Sequence, residues 1–268
     1  MKTFNIDKLE VRIFADRIAL GRAAAEAVSG QIGQLLRTRA LGEDDARKPE
    51  VNIVFAAAPS QNEFLSALVG MDVEWGRVNA FHMDEYIGLA KDAPQGFGNF
   101  LRDRLFSRVK FGAVHYLNGL APDIDSECRR YSQLLEQHPT DIVVLGIGEN
   151  THLAFNDPHV ARFDDAELVK VVDLDEESRR QQVNDGCFAE LGAVPTHAMT
   201  MTIPALMRAR YAYVVVPGWR KAEAVRLTLY TDIGEQYPST ALRQHSHAAM
   251  FIDEVSAAKI SDGRTAGG

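Results

Sequence analysis

The stretch Val51-Asn-Ile-Val-Phe-Ala-Ala57 runs with no linker into Pro59-Ser60-Gln61-Asn62-Glu63-Phe64-Leu65. Its first half is a nearly unbroken apolar run, as expected of a strand covered on both sheet faces. Its second half reads as a helix start, because Ser60 followed three residues later by Glu63 has the form of a capping box. The same alternation extends outward in both directions. Upstream, Val11 to Phe14 reads as a short strand and Asp16 to Ala40 as a helix, its apolar stripe formed by Ile18, Ala25, Val28, Ile32, Leu35 and Leu36. Downstream, strand patterns recur at Val78 to Met83, Ala113 to Leu117, Asp141 to Gly146, Leu168 to Val172, Met199 to Ile203, Tyr211 to Val216 and Ala248 to Ile252. Helical patterns fall between most of them, at Asn99 to Val109, Ser126 to Gln137 and Arg220 to Leu229. This order predicts an α/β fold: a doubly wound, mostly parallel, Rossmann-like sheet with helices on both faces. Ligands in such folds bind beyond the carboxyl ends of the strands, so the polar residues just after strands are the ones to read for chemistry.

The chain has 268 residues, and no internal repeat divides it. We expect one domain over residues 1–260 and a flexible tail over 261–268, with the polar stretch Gly42 to Pro49 a second candidate for disorder. The formal net charge of −8 disfavours nucleic acid as a partner. It leaves room for a small phosphorylated ligand met by local cations. Cys128 and Cys187 form no metal-binding or redox pair, which suits a reducing compartment. The opening Met1-Lys-Thr-Phe-Asn-Ile6 has no signal-peptide core and no later run reaches membrane-spanning length, so the cytoplasm is the expected location.

Four strand ends carry candidate chemistry. After Val51 to Ala57, the helix start at Ser60 is either an anion site or a plain capping box. After Val78 to Phe81 come His82-Met-Asp84-Glu85-Tyr86. Two adjacent carboxylates there suit acid/base work, though they equally suit a helix cap. After Asp141 to Leu145 comes Gly146-Ile-Gly-Glu-Asn-Thr-His-Leu-Ala-Phe-Asn-Asp-Pro158, where Asn150, Asn156 and Asp157 stand close enough to orient His152. After Tyr211 to Val216, Arg220 and Lys221 open a helix where cations oppose its dipole, a conflict that hints at an anion. Arg179 and Arg180 are further phosphate candidates.

Taken together, these segments resemble the glucosamine-6-phosphate deaminase/isomerase family, kin of the 6-phosphogluconolactonases. The resemblance rests on Met83-Asp-Glu-Tyr-Ile-Gly-Leu89, Leu117-Asn-Gly-Leu-Ala-Pro-Asp-Ile-Asp125, the Gly146 to Pro158 block and Pro217-Gly218 with Lys221-Ala222, which occur in the family's order and spacing over roughly residues 10–255. It implies that Asp84 takes the C2 proton, that His152 opens the pyranose ring, and that Asn150 and Asp157 hold and polarise that histidine. It also places the Ser60 turn, Arg179 and Lys221 at the phosphate, with Gln61, Asn62 and Glu85 among the neighbouring substrate positions.

The chain departs from the family pattern at four points. The phosphate loop reads Ala57-Ala-Pro-Ser-Gln-Asn62 instead of glycine-rich, so side chains would replace close backbone approach. Asn150 stands where many members have Asp, Asp157 stands for the more usual Glu, and Thr151 replaces a glycine before His152. If that residue has positive φ, a β-branched side chain there costs about 1–2 kcal/mol. The implied reaction is aldose–ketose isomerisation with loss of ammonia, with no metal or organic cofactor. Expected partners are an amino-sugar phosphate and neither nucleic acid nor membrane; a homo-oligomer is compatible with all of this. A sister lactonase is the nearest rival, disfavoured by Leu153-Ala-Phe-Asn-Asp157 after the histidine. A non-catalytic sugar-phosphate sensor is less favoured, since no basic helix-turn-helix segment precedes residue 50.

Overall fold

A computed structural model describes residues 1–40 and 50–260. An eight-stranded sheet forms the centre. Its strands are β1 (Lys2–Ile6), β2 (Leu9–Phe14), β3 (Val51–Phe55), β4 (Val78–His82), β6 (Ala113–His115), β7 (Ile142–Leu145), β10 (Tyr211–Val216) and β11 (Ala248–Asp253), in the order β1-β2-β11-β10-β7-β3-β4-β6. All neighbours pair in parallel except β1 with β2. Successive side chains on these strands enter opposite cores, as strand geometry requires. Tyr213 and Val215 of β10 join the cluster under helix α1 (Arg17–Ala40) and helix α2 (Asn62–Val69), while Ala212, Val214 and Val216 join the one under α4 (Ile124–Gln137) and α7 (Ala222–Tyr230). Both faces are therefore buried, which is why these strands read as continuous apolar runs.

From β3 the chain builds outward through β4 to β6, then returns to the other side of β3 for β7, β10 and β11. The winding thus reverses between β3 and β7, and an open crevice forms at the carboxyl ends there. The four strand ends singled out in the sequence belong to β10, β7, β3 and β4, four consecutive neighbours.

Several local expectations are corrected. The patterns at Leu168 to Val172 and Met199 to Ile203 are not part of the central sheet: β8 (Val169–Asp173) and β9 (His197–Met201) pair antiparallel, with β5 (Asp84–Tyr86) on the far edge of β9. Ile203 instead begins helix α6 (Ile203–Met207), capped by the Thr202 hydroxyl. The Ser60–Glu63 capping box does not form. Ser60 sits in a 3₁₀ turn over Pro59–Gln61, α2 has no side-chain cap, and Glu63 pairs with Arg17 at 2.6 Å. Ile18 is exposed: the buried face of α1 runs through Leu20, Ala24, Ala25, Val28, Ile32, Leu35 and Leu36, and Ile18 lies off it, its N–H donating to the capping Asp16. The expected disordered stretches at Gly42 to Pro49 and 261–268 lie outside the described residues.

Candidate active site

A cleft at the crevice is lined by residues from every one of the four strand ends: Ser60 after β3, Asp84 after β4, Gly146 to Gly148 and His152 after β7, and Lys221 after β10. Helix α5 (Glu176–Asn184) contributes Gln181 and Gln182 as a wall. Only Arg179 and Arg180 stood out in this segment of the sequence, although Asp175 followed by Ser178 is an N-cap signature and Asp175 does accept from the Ser178 N–H at 2.6 Å.

Asp84 does not cap a helix. It opens β5, opposite Thr200 of β9, and the ladder is continued by Met201 N–H donating to the Met83 carbonyl at 2.7 Å. His82, the last residue of β4, fixes this corner from behind. Its Nδ1 lies 2.8 Å from the Asp84 carbonyl and its Nε2 accepts from the Leu117 N–H at 3.0 Å. Burial lowers its pKa to about 4, so the ring is a neutral structural bridge at ordinary pH. The Asp84 carboxyl is 7% exposed, and no described residue hydrogen-bonds it. Burial, reinforced by the neighbouring Glu85, raises its pKa well above the ordinary aspartate value. A carboxylate tuned upward in this way suits a general base working near neutral pH.

Glu85 points away from this cleft. It accepts from the N–H groups of Tyr86, Phe97 and Gly98 at 2.9–3.0 Å, and so anchors the start of α3 (Phe97–Leu101). Burial raises its pKa against the opposing pull of those three donors. The substrate contact expected of Glu85 is therefore corrected to a backbone anchor.

The His152 loop is tied at every turn. His152 Nδ1 lies 3.0 Å from Asp157 Oδ1 and 3.2 Å from Ser178 Oγ. Asn150 Nδ2 donates to Asp157 at 3.0 Å and to Asp175 at 3.1 Å, while Asn150 Oδ1 accepts from the His152 N–H at 3.1 Å. Asp157 is fully buried. Burial pushes its pKa up, but the bonds from His152 and Asn150 outweigh it and hold the carboxyl below its ordinary value. Asn156 does not touch the imidazole; its amide donates to the carbonyls of Leu153 and Met201 and ties the loop to β9. The histidine ring lies against Gly148, where a Cβ would overlap it. Thr151 has φ 72°, so the β-branched residue does occupy the left-handed region that the sequence comparison flagged. Its hydroxyl is buried and unpartnered.

Lys221 is 7% exposed and forms no ion pair with a described residue. Burial lowers its pKa, opposed by the charges of Asp185 and Glu149. It is delivered by the turn at Gly218, whose φ of 99° favours glycine and whose N–H is held at 3.1 Å by Asp253. Arg220 lies outside the cleft beside Trp219.

The remaining phosphate candidates are not brought to this cleft. Gln61 is buried behind it, its amide donating to the Val215 carbonyl at 3.1 Å and to Ser60 Oγ at 3.2 Å. Asn62 faces α3's continuation, accepting from Arg104 at 2.7 Å. Arg179 is held by the Leu191 and Val194 carbonyls at 2.8 and 3.0 Å and lines a separate surface cavity of about 830 Å³. Helix periodicity explains this: Ser178 and Gln182, four apart, share the face of α5 that meets the cleft, and Arg179 does not. Arg180 pairs with Glu176 in solvent. Ser178, Asp175 and Gln182 were not singled out in the sequence. Only the N-cap pattern could have drawn attention to them.

Residues 16–251 match the family described as glucosamine-6-phosphate isomerases/6-phosphogluconolactonase. A glucosamine-6-phosphate deaminase of Streptococcus pyogenes is 31% identical over 218 residues, covering 81% of this chain and 91% of that protein. The Streptococcus equi subsp. zooepidemicus deaminase is 33% identical over 197 residues, 74% of this chain and 82% of its own length. Among solved structures, a monomeric glucosamine-6-phosphate deaminase superposes with a TM-score of 0.81 at 29% identity, covering 93% of this chain and 99% of that one. The 6-phosphogluconolactonase of Thermotoga maritima superposes at 0.70 with 20% identity, covering 92% and 100%, a likeness of fold. Matched over most of its length by that family and by deaminases about one-third identical to it, the chain belongs to the glucosamine-6-phosphate isomerase/6-phosphogluconolactonase family of enzymes.

Proposed function

We propose that the protein converts an amino-sugar 6-phosphate, glucosamine 6-phosphate or an epimer, into a ketose 6-phosphate and ammonia. The observation that carries this reading is the meeting of Asp84, His152 and Lys221 in one cleft from three separate strand ends. His152, its Nδ1 side held by Asp157, presents its other nitrogen to protonate the ring oxygen and take the proton of the C1 hydroxyl, opening the pyranose. Asp84 takes the C2 proton, and the electron pair moves to form the enolamine. Reprotonation at C1 gives a C2 iminium, which water attacks; the carbon–nitrogen bond breaks to leave ketone and ammonia. Each positioned proton transfer of this kind contributes about 10²–10⁴-fold. Lys221 and the Ser60 turn hold the phosphate, which supplies positioning.

The cleft is small, about 60 Å³. The two cysteines are unpaired, and among the described residues no helix is long and apolar enough to cross a membrane; the free thiols support a reducing, cytoplasmic setting. The test is direct. Purified protein should release ammonia from glucosamine 6-phosphate or its galacto epimer. Acid release from the gluconolactone phosphate without ammonia from either amino sugar would replace this reading with the lactonase one.

A further inference from the structure

Of all the polar side chains around the cleft, Gln182 is the one that no sequence motif and no internal structural need explains. It is 8% exposed and lines the cleft with Ser60, Asp84, His152 and Lys221. Its carboxamide makes no hydrogen bond to any described residue. Its neighbour Gln181, by contrast, is consumed by the Glu149 N–H at 2.8 Å. Its amide faces the cleft unengaged by protein and is not wholly shut off from solvent, so a ligand entering there can take up its donor.

The course of α5 shows which part of a ligand it would meet. Ser178, in the first turn, lies 3.2 Å from His152 Nδ1. Gln182 is four residues on, so it occupies the same helix face about 6 Å further along the axis. Asp185, just past the end of α5, acts on Lys221 through its charge. Gln182 thus stands one turn beyond the contact with the histidine, and it shares the cleft with Lys221. That part of the cleft is short of donors: Arg179 is engaged elsewhere, Gln61 is tied to β10, and the loop after β3 lacks glycines. Lys221 alone supplies one positive charge to a group carrying nearly two negative ones.

We propose that Gln182 is a phosphate-binding residue, its amide N–H donating to a phosphate oxygen of the sugar phosphate alongside Lys221 and Ser60. The assignment rests on the sugar-phosphate reading above, and it makes Gln182 a determinant of selectivity for the phosphorylated sugar. A neutral donor there completes the oxyanion's hydrogen bonds without placing a second cation beside the buried lysine.

The experiment compares wild type with Gln182→Met, which keeps the volume and removes the amide, and Gln182→Glu, which sets a carboxylate against the phosphate. KM and kcat for glucosamine 6-phosphate are measured, and equilibrium binding of inorganic phosphate is titrated separately. We expect Gln182→Met to raise KM and the phosphate dissociation constant together by about 10-fold, with kcat within about threefold. Gln182→Glu should raise both by about 100-fold or more. Unchanged phosphate binding in both variants overturns the assignment, as does a fall in kcat at constant KM, which would place Gln182 at the reacting end. Phosphate binding needs no turnover, so the two readings fail separately. A wild type that deaminates but binds phosphate independently of residue 182 sinks only the Gln182 assignment. A wild type that does not deaminate, yet binds phosphate through Gln182, sinks only the reaction.

Discussion

The two walls of the cleft are built on opposite terms. On one side His152, Asp157, Asn150, Asp175 and Ser178 form a closed network in which each polar group meets another at 2.6–3.2 Å. Asp84, Lys221 and Gln182, by contrast, are each at least nine-tenths buried and have no hydrogen-bonding or ion-pair partner among the described residues. The first wall is complete without substrate and holds a proton shuttle in a fixed orientation. The second is unengaged by protein and open to whatever enters the cleft. Preorganised groups and unengaged ones are thus held apart: the first on the loop after β7 and the start of α5, the second on the ends of β4 and β10 and further along α5.

The sharpest way to break this contrast is Asp84→Asn. It should cut ammonia release by about 10⁴-fold or more, since it removes the base, while sugar-phosphate binding persists. It should also stabilise the fold. Because burial raises the pKa of Asp84, the native state keeps a proton that the unfolded chain has already released, and stability falls as pH rises from the ordinary aspartate value through the raised one. The melting temperature of the variant should therefore exceed that of wild type at pH 8 and converge with it near pH 3. A variant that is inactive but less stable at pH 8 would show that the Asp84 carboxylate has a partner in solution.

Asp157→Asn attacks the satisfied wall, and both of its effects should have the same sign. Turnover of ring-closed substrate should fall about 10²–10⁴-fold as His152 loses its charged support. Stability at neutral pH should fall by about 1–3 kcal/mol as the buried network loses its acceptor. With a depressed pKa, Asp157 contributes stability above the ordinary aspartate range and loses it as pH falls through its lower native value, so the deficit should shrink in acid. His152→Gln should match its kinetic defect on closed substrate, and both should be partly spared in the reverse direction on the open-chain fraction of fructose 6-phosphate. Equal defects on open and closed forms would abolish the division of labour between the walls.

The smallest effect belongs to Thr151→Gly. It relieves a positive φ and a buried unpartnered hydroxyl, against the greater unfolded-state freedom of glycine. We expect a net gain of about 0.5–1 kcal/mol by denaturant titration, with activity held or raised. A clear loss of both would mean that the threonine shapes the His152 loop.

Much of this was legible in the residues. The unbroken apolar runs of β3, β4, β7 and β10 required a sheet covered on both faces, and the polar blocks after them offered Ser60, Asp84, His152 and Lys221 as candidates, which the family resemblance joined into one site. Asn150 and Asp157 lie within seven residues of each other, so local spacing sufficed to tie them to His152. What stayed hidden depended on non-local packing. The alternation of strand and helix did not reveal that β8 and β9 leave the main sheet, because an antiparallel pair and a buried parallel strand share the same apolar composition. The charge of Arg179 suggested a phosphate ligand, but the rotation of α5 about its axis gave that role's place to Gln182, and a hydropathy pattern in so polar a helix does not fix its rotation. The sequence by itself determined the layer architecture, because periodicity is local, and its resemblance to the family singled out Asp84 and His152 as the pair proposed to react. Only the tertiary structure decided which buried groups are already partnered and which wait for a ligand, because hydrogen-bond satisfaction depends on neighbours brought together from across the chain.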